Sequence, residues 1–219
     1  MVEIVNRLNH QLYLDRLQEL YAFRYRVAFD EMGWKLPDAK NGLDIDAYDT
    51  LDAVHFIDQN SKGEIIACAR LVPTTGPNML RDIFPEFCDD SEPPCAEDTY
   101  EYTRYFVTKK GTGQEEFIRA RARILVAIHE YCLANGIKKL SLLTYQKHYA
   151  LAAFLFRTRP LGTARYYKAD DDYYIAMTNE VSPEGLAKAR QYTNLPDPVG
   201  FLKVPLDAAK RLTADLVAA

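Results

Sequence analysis

Residues 100–107, Tyr-Glu-Tyr-Thr-Arg-Tyr-Phe-Val, constrain this chain more than any other stretch. Aromatic and β-branched residues dominate it, which predicts a strand in the body of a sheet. Yet it carries Glu101 and Arg104. A charge buried in a sheet needs a partner and further hydrogen bonds to break even. Residues three apart on a regular strand point to opposite faces. A bulge would turn both towards one cleft, and bulges recur beside active sites. Two readings stand: a structural ion pair at a strand end, or a catalytic carboxylate with an orienting arginine.

The 219 residues suffice for one large domain or two small ones. A net charge of −4 and a pI near 5.6 argue against a general nucleic-acid binder, whose domain is usually basic. The four cysteines, Cys68, Cys88, Cys95 and Cys132, form no CxxC pair, so a zinc framework is absent and no metal is expected. Cys88 and Cys95 flank an acidic, Pro-rich loop that a disulfide would close. The N-terminus has no basic region ahead of an apolar core, as a signal peptide would. The longest apolar runs, such as 149–156, fall far short of the roughly 18 residues of a membrane span. The expectation is a reduced, cytoplasmic protein.

Taken in order, residues 2–5 read as a short strand and 12–30 as an amphipathic helix, with Leu17, Leu20, Tyr21 and Val27 at helical spacing. Arg24 lies in its second half, where a cation suits the helix dipole. A loop follows, running into Asp44, Asp46, Asp49 and Asp52. The spacing fails as a calcium loop, because Asp49 stands where the turn glycine belongs and no Glu closes the twelfth position. Residues 53–58 and 64–72 read as a hairpin, with His55 packing in the sheet. Arg70 sits inside an apolar strand, which calls for a carboxylate or polar pocket opposite it. Residues 79–84 form an apolar patch at the floor or lid of a cavity. Beyond the 100–107 strand, Lys109-Lys110-Gly111-Thr112-Gly113 leads into a helix over 115–134, a strand–loop–helix anion site. A strand over 140–145, a helix over 147–157, strands at 166–167 and 172–177, a Ser182-capped helix and a helical tail over 204–219 complete the pattern. Such a pattern gives a three-layer α/β or α+β sandwich.

Several of these motifs fall into one register. Arg24…Trp34, Asp46-Ala47-Tyr48-Asp49-Thr50, the run from Ala69 to Leu80, Phe84-Pro85 and Glu101-Tyr102-Thr103-Arg104 occur in this order over the first 110 residues. The chain resembles the LuxI-type acyl-homoserine-lactone synthases of bacterial quorum sensing. The resemblance implies a GNAT-like acyltransferase fold with a mixed, largely antiparallel central sheet, in one domain over 1–219. It implies acyl transfer from acyl-CoA or acyl carrier protein to S-adenosylmethionine, followed by lactonisation and release of methylthioadenosine. Both compounds are substrates, and no tightly bound cofactor is implied. Two departures stand out. The aromatic usual four residues after the first Arg is Ala28, with Phe29 beside it, so either a shifted ring fills that space or the pocket is reshaped. The usual Glu-Leu-Ser-Arg is Glu-Tyr-Thr-Arg, similar to a branch that uses coenzyme A thioesters of branched or aryl acids.

On this resemblance Glu101 is the base that takes the amine proton, and Arg104 orients it and keeps it ionised. Asp46 and Asp49 lie near the cationic end of S-adenosylmethionine, Arg24 and Arg70 hold its carboxylate or brace the acids, and Trp34 stacks on it. Met79, Phe84, Leu142, Thr144, Phe154 and Leu155 are candidates for the acyl pocket, each competing with a plain core role. Lys109, Lys110, Gly111 and Gly113 would meet the phosphopantetheine or pyrophosphate. Lys138, Lys139, Lys147, Arg157 and Arg159 would dock an acidic carrier protein, or serve as solvated surface. Two other classes compete: a GNAT-like enzyme acylating another amine, and a non-catalytic sensor of acyl thioester or S-adenosylmethionine.

Overall fold

The structure, a computed structural model, describes residues 1–35, 39–89 and 92–204. Strand β1 (Val2–Val5) leads to helix α1 (Leu14–Tyr25). The strands β2 (Val54–Gln59), β3 (Ile65–Pro73) and β4 (Thr99–Val107) follow, with a one-turn helix α2 (Met79–Asp82) before β4. Then come α3 (Gln114–Ala134), β5 (Lys139–Tyr145), α4 (Tyr149–Leu155), β6 (Thr158–Pro160) and β7 (Arg165–Tyr167). The described chain closes with β8 (Asp172–Glu180), α5 (Pro183–Thr193) and β9 (Gly200–Phe201).

One sheet holds all the strands in the order β6-β8-β5-β4-β3-β2-β1-β9, with β7 also on β8. Among the described strands only β1–β9 and β4–β5 are parallel pairs. Alternation along the strands gives the sheet two apolar faces, and each is covered by helices. One face packs Val54, Phe56 and Leu71 under Ile124, Ala127 and Ile128 of α3. Helices α4 and α5 join α3 there through Leu155, Phe156 and Ala189. The opposite face takes α1, whose Leu17, Leu20 and Phe23 cover Ile57, Cys68 and Phe106. Further along that face, Leu80 of α2 and Phe87 cover Tyr174 and Ala176 of β8.

Two features of β4 make room for a site on this second face. Pairing with β3 slips between Cys68↔Phe106 and Arg70↔Thr103, and Arg104 takes a left-handed backbone at φ +51°. The bulge that would turn Glu101 and Arg104 towards one cleft is therefore there. It also bends the strand. Pairing of β4 with β5 ends at Glu101↔Ser141, although the two strands run on to Val107 and Tyr145. Beyond Glu101 their facing edges lack each other as hydrogen-bond partners.

Some expectations are corrected. The helix read over 12–30 ends as α-helix at Tyr25, and residues Arg26–Glu31 are a π-helix. Its wider turn carries Phe29 outwards, stacked on Tyr25 at 5.1 Å and half exposed, while Ala28 is fully buried. The shifted ring thus leaves the space at position 28 to a methyl group. Strands β6 and β9 are two or three residues long and carried no readable alternation. No disulfide joins Cys88 to Cys95: Cys88 is buried under α2, Cys95 is exposed, and all four thiols are free. Burial pushes the Cys88 thiol up to about 11. Alkylation of the native protein is expected to label Cys95 within minutes and to reach Cys68, Cys88 and Cys132 only on unfolding. Mass spectrometry of the labelled peptides checks this, and early labelling of Cys88 would contradict its placement.

Pro37 and Asp38 of the first loop, and the tail from 205 to 219, lie outside the described residues. Among the described residues no helix is long and apolar enough to cross a membrane.

Candidate active site

The acidic loop after α1 builds its own turn. The Asp49 side chain accepts from the Asp46 N–H at 3.0 Å, and Asp46 accepts from the Tyr48 N–H at 2.9 Å. Such Asx bonds let a short acidic segment fold back on itself. The Asp44 N–H donates to the Tyr21 carbonyl, which fastens the loop to α1. Three carboxylates are thereby presented to three arginines from three different elements.

Arg24 of α1 donates to Asp44 at 3.0 Å and to both Asp49 oxygens at 2.7 and 3.0 Å. Arg70 of β3 donates to both Asp46 oxygens at 2.6 and 3.0 Å, lies 2.8 Å from Asp49, and turns its Nε–H to Thr103 Oγ1. Arg104 donates to Asp44 at 2.9 Å and lies 2.8 Å from Asp46. The six side chains sum to no net charge, and two-pronged pairs of this kind are the strong ones. Burial raises the carboxyls of Asp49 and Asp44, but the guanidinium groups more than reverse this and hold both below their usual value, Asp49 well below it. Below them, burial pushes His55 down to about 3, so it is a neutral imidazole edge-on to Tyr21.

Several site expectations change here. Arg24 does not answer to the helix dipole; it is 1% exposed and braces acids. Asp46 and Asp49 do not stand open for a cationic group, because Arg24, Arg70 and Arg104 already occupy their oxygens. Arg104 does not touch Glu101. The bulge turns its guanidinium sideways over the acidic loop, where Asp44 takes it. With 10% of its side chain exposed, Arg104 is the most open member of the network. Asp44 was visible in the sequence as one more loop carboxylate, and only this bulge makes it a partner of two arginines.

Glu101 is held differently. It is 2% exposed, and its two oxygens accept from the N–H groups of Met79 and Leu80 at 2.8 and 2.7 Å. Those are the first free N–H groups of α2, whose N-cap is Asn78. Burial raises the Glu101 carboxyl above its usual value; the two N–H groups and Arg70 pull it back only in part. A carboxylate with raised affinity for a proton, beside a gap between strands, suits a general base.

To one side of Glu101 lies the ion network; to the other lies an apolar cluster. Alternation puts Leu143 and Tyr145 on the same face as Ser141, the partner of Glu101. They meet Phe84, Leu80, Tyr174 and Ala176 there. Phe84 is therefore in the apolar cluster. The other five pocket candidates are not. Met79 lays its sulfur 3.6 Å from Arg104 and 3.7 Å from Arg70, over the network. Leu142 and Thr144 alternate onto the opposite face. Phe154 is 65% exposed, edge-on to Tyr192, and Leu155 is buried against α5. Trp34 rests on Phe106, two residues beyond Arg104, at 5.5 Å.

The loop 108–113 follows β4 directly past the gap. Gly111 takes φ +73°, and Gly113 caps α3 without a side-chain bond, so the first N–H groups of α3 lack a side-chain cap. Lys109 lies over Phe117 and the Lys110 N–H donates to Thr108. The five basic residues read as a docking patch are split. Lys138 and Lys139 stand at the start of β5, where Lys138 pairs with Asp98, and Arg157 pairs with Glu180 near that end. Arg159 is exposed on the edge strand β6. Lys147 lies past the other end of β5, paired with Asp172. Among the described residues no group of three His, Cys, Asp or Glu side chains is arranged to hold a metal ion.

A family model described as autoinducer synthase matches residues 9–151. The isovaleryl-homoserine lactone synthase of Bradyrhizobium diazoefficiens is 26% identical over 141 residues, which cover 64% of this chain and 62% of that relative. A CoA-dependent acyl-homoserine lactone synthase solved with SAM and isopentyl-CoA superposes with a TM-score of 0.83 at 23% identity, covering 98% of this chain and 99% of that one. An N-acetyltransferase from Lactobacillus plantarum superposes at 0.50 with 15% identity, covering 83% and 99%. The fold is GNAT-like: a mixed sheet with helices on both faces.

Proposed function

The chain belongs to the autoinducer synthase family, and on that premise we propose that it makes an N-acyl-homoserine lactone from S-adenosylmethionine and an acyl thioester, in one domain. The observation that carries this reading is the position of Glu101. Its carboxylate is fixed by two backbone N–H groups where β4 and β5 part, with a charged network on one side and an apolar cluster on the other. The two substrates have matching halves: a charged amino acid and an apolar acyl chain.

Acyl transfer needs the amine of S-adenosylmethionine neutral. A free α-amine titrates near 8, and Glu101 takes the remaining proton directly or through one water. The amine nitrogen attacks the thioester carbon, the C–S bond breaks, and the thiol leaves. Backbone N–H groups on the parted edges of β4 and β5 stabilise the oxyanion that forms. In the second step the substrate carboxylate attacks its own γ-carbon and expels methylthioadenosine; positioning is what that cyclisation requires. Arg104, at the open edge of the network, is the arginine placed to meet the carboxylate. Arg24, Arg70, Asp46 and Asp49 hold the surface against which the substrate rests, and Trp34 with Phe106 forms the ring wall beside it. Phe84, Leu143, Tyr145 and Ala176 receive the acyl chain.

The donor is a coenzyme A thioester. The relative and the solved structure named above act on isovaleryl groups and on coenzyme A by their own descriptions. The uncapped start of α3, with Lys109, Lys110, Gly111 and Gly113 before it, offers backbone N–H groups and cations to a pyrophosphate.

Mass spectrometry of purified protein given S-adenosylmethionine and a panel of acyl-CoA and acyl-carrier-protein thioesters tests this. Methylthioadenosine with a lactone of matching mass, from the coenzyme A arm, is expected. Acylated amine without methylthioadenosine would mean an ordinary N-acyltransferase, and binding without any product would mean a sensor.

A further inference from the structure

We infer that Thr108 is a positioning residue for the acyl-thioester donor: its buried hydroxyl clasps the loop over 108–113 to Glu31 at the end of the π-helix, and so holds that loop in the shape that meets the donor's pyrophosphate. The inference rests on the role proposed for the loop above.

Strand β4 ends at Val107. The next residue, Thr108, is 2% exposed and donates its N–H to the Ile66 carbonyl of β3 at 3.0 Å, so its backbone is still tied to the sheet. Its hydroxyl makes two further bonds. Oγ1 donates to Glu31 Oε1 at 2.6 Å and accepts from the Lys110 N–H at 3.1 Å. The second is a local side-chain-to-backbone bond, which sets the direction in which the loop leaves the strand. Beyond it the Thr112 N–H returns to the Lys109 carbonyl at 3.3 Å, Gly111 takes its left-handed φ, and Gly113 leads into α3. The path of the loop is therefore fixed at its first residue.

The bond to Glu31 joins this loop to the other half of the site. Glu31 is the last residue of the π-helix and is itself exposed, so burial does not hold its side chain in place. A hydroxyl that donates to a carboxylate makes a strong bond, and this one fastens a solvated side chain to a buried one. The Met32 N–H donates to the Val27 carbonyl five residues back, at 3.0 Å, and the Trp34 N–H donates to the Ala28 carbonyl at 2.8 Å. The same wide turn thus seats Trp34 against Phe106 and presents Glu31 to Thr108. Turns of this kind are frequent at functional sites.

A loop already held in its binding shape loses less freedom when the donor binds. In Thr108→Val, which keeps the shape of the side chain and removes the hydroxyl, KM for acyl-CoA is expected to rise about fivefold, the usual worth of one hydrogen bond. In the same variant kcat and KM for S-adenosylmethionine should change less than about twofold, because neither the base nor the ion network is touched. Thr108→Ser keeps the hydroxyl and should restore KM for the donor. Glu31→Ala breaks the clasp from its exposed end, where substitution leaves the fold intact, and carries the test should Thr108→Val not fold. It should raise the same KM, and the double variant should show less than the sum of the two single effects, since both break one tie. A melting temperature that drops while KM for acyl-CoA stays unchanged would reduce Thr108 to a packing residue and overturn the inference; strictly additive effects of the two substitutions would overturn the clasp equally. A wild-type protein that forms no lactone overturns the proposed reaction instead. Amide exchange at Lys110 in Glu31→Ala needs no substrate and then decides the clasp: exchange faster by about threefold or more upholds it, and unchanged exchange overturns it.

Discussion

Glu101→Gln is expected to slow lactone formation by about 10² to 10⁴, the usual worth of a positioned general base. Affinity for S-adenosylmethionine should change much less, because Glu101 stands beside the ion network and makes no bond to it. The substitution has a structural side. An amide offers one oxygen where the carboxylate offered two, so Met79 or Leu80 loses its acceptor, at a cost of about 1–3 kcal/mol. Rates must therefore be read well below the melting point of the variant. The pH profile separates the two contributions. Burial raises the folded-state carboxyl, so activity falls on acidification at a pH above that of an ordinary glutamate. In the Gln variant that acidic limb should vanish from whatever rate remains. Turnover within a factor of three of wild type, with the limb intact, would take Glu101 out of the reaction.

Asp49→Asn is expected to unfold the site rather than merely weaken a ligand. Asp49 has no exposed side-chain surface and answers Arg24 and Arg70 together. An asparagine leaves both guanidinium groups short of charge in the interior. Breaking a buried pair from one side costs about 3–5 kcal/mol, a large part of the stability of a domain this size. The denaturant midpoint should drop accordingly, and loss of S-adenosylmethionine affinity should follow from it. The sign with pH is fixed by the same groups. Asp49 and Asp44 have folded-state values depressed below the unfolded value near 3.9. Their contribution is complete above that value and is lost progressively as pH falls from there towards their depressed folded-state values. Wild type should therefore lose stability steeply below pH 4, and Asp49→Asn less so. A midpoint shift worth under 1 kcal/mol would place the network on a par with surface pairs.

How far these sites could be read from the sequence differs from residue to residue. A Glu and an Arg three apart on this strand raised a bulge as one of two readings, because a regular strand cannot put both on one face. Arg70 was equally legible, since an arginine inside Ile-Ile-Ala-Cys-Ala demands an acid, and the structure supplies Asp46 and Asp49. The register of motifs named the family. The acyl pocket was not legible. Leu142 and Leu143 differ by one position, and only the register of β5 against β4 tells which of them shares a face with Glu101. Met79 reads as apolar filler, and only the placement of α2 shows its sulfur lying against two guanidinium groups.

The sequence by itself determined the family, the order of the longer helices and strands, and which residues had to find partners, because periodicity and the cost of burying charge act locally. Which partners they found was decided by the tertiary structure. Glu101 and Arg104 share a face and nothing else: the bulge sends Arg104 to Asp44, sixty residues earlier in the chain, and a one-turn helix brings two N–H groups to Glu101. A left-handed residue and a strand that leaves its neighbour after three pairs are properties of how the sheet closes, and no local pattern encodes the direction in which they turn a side chain.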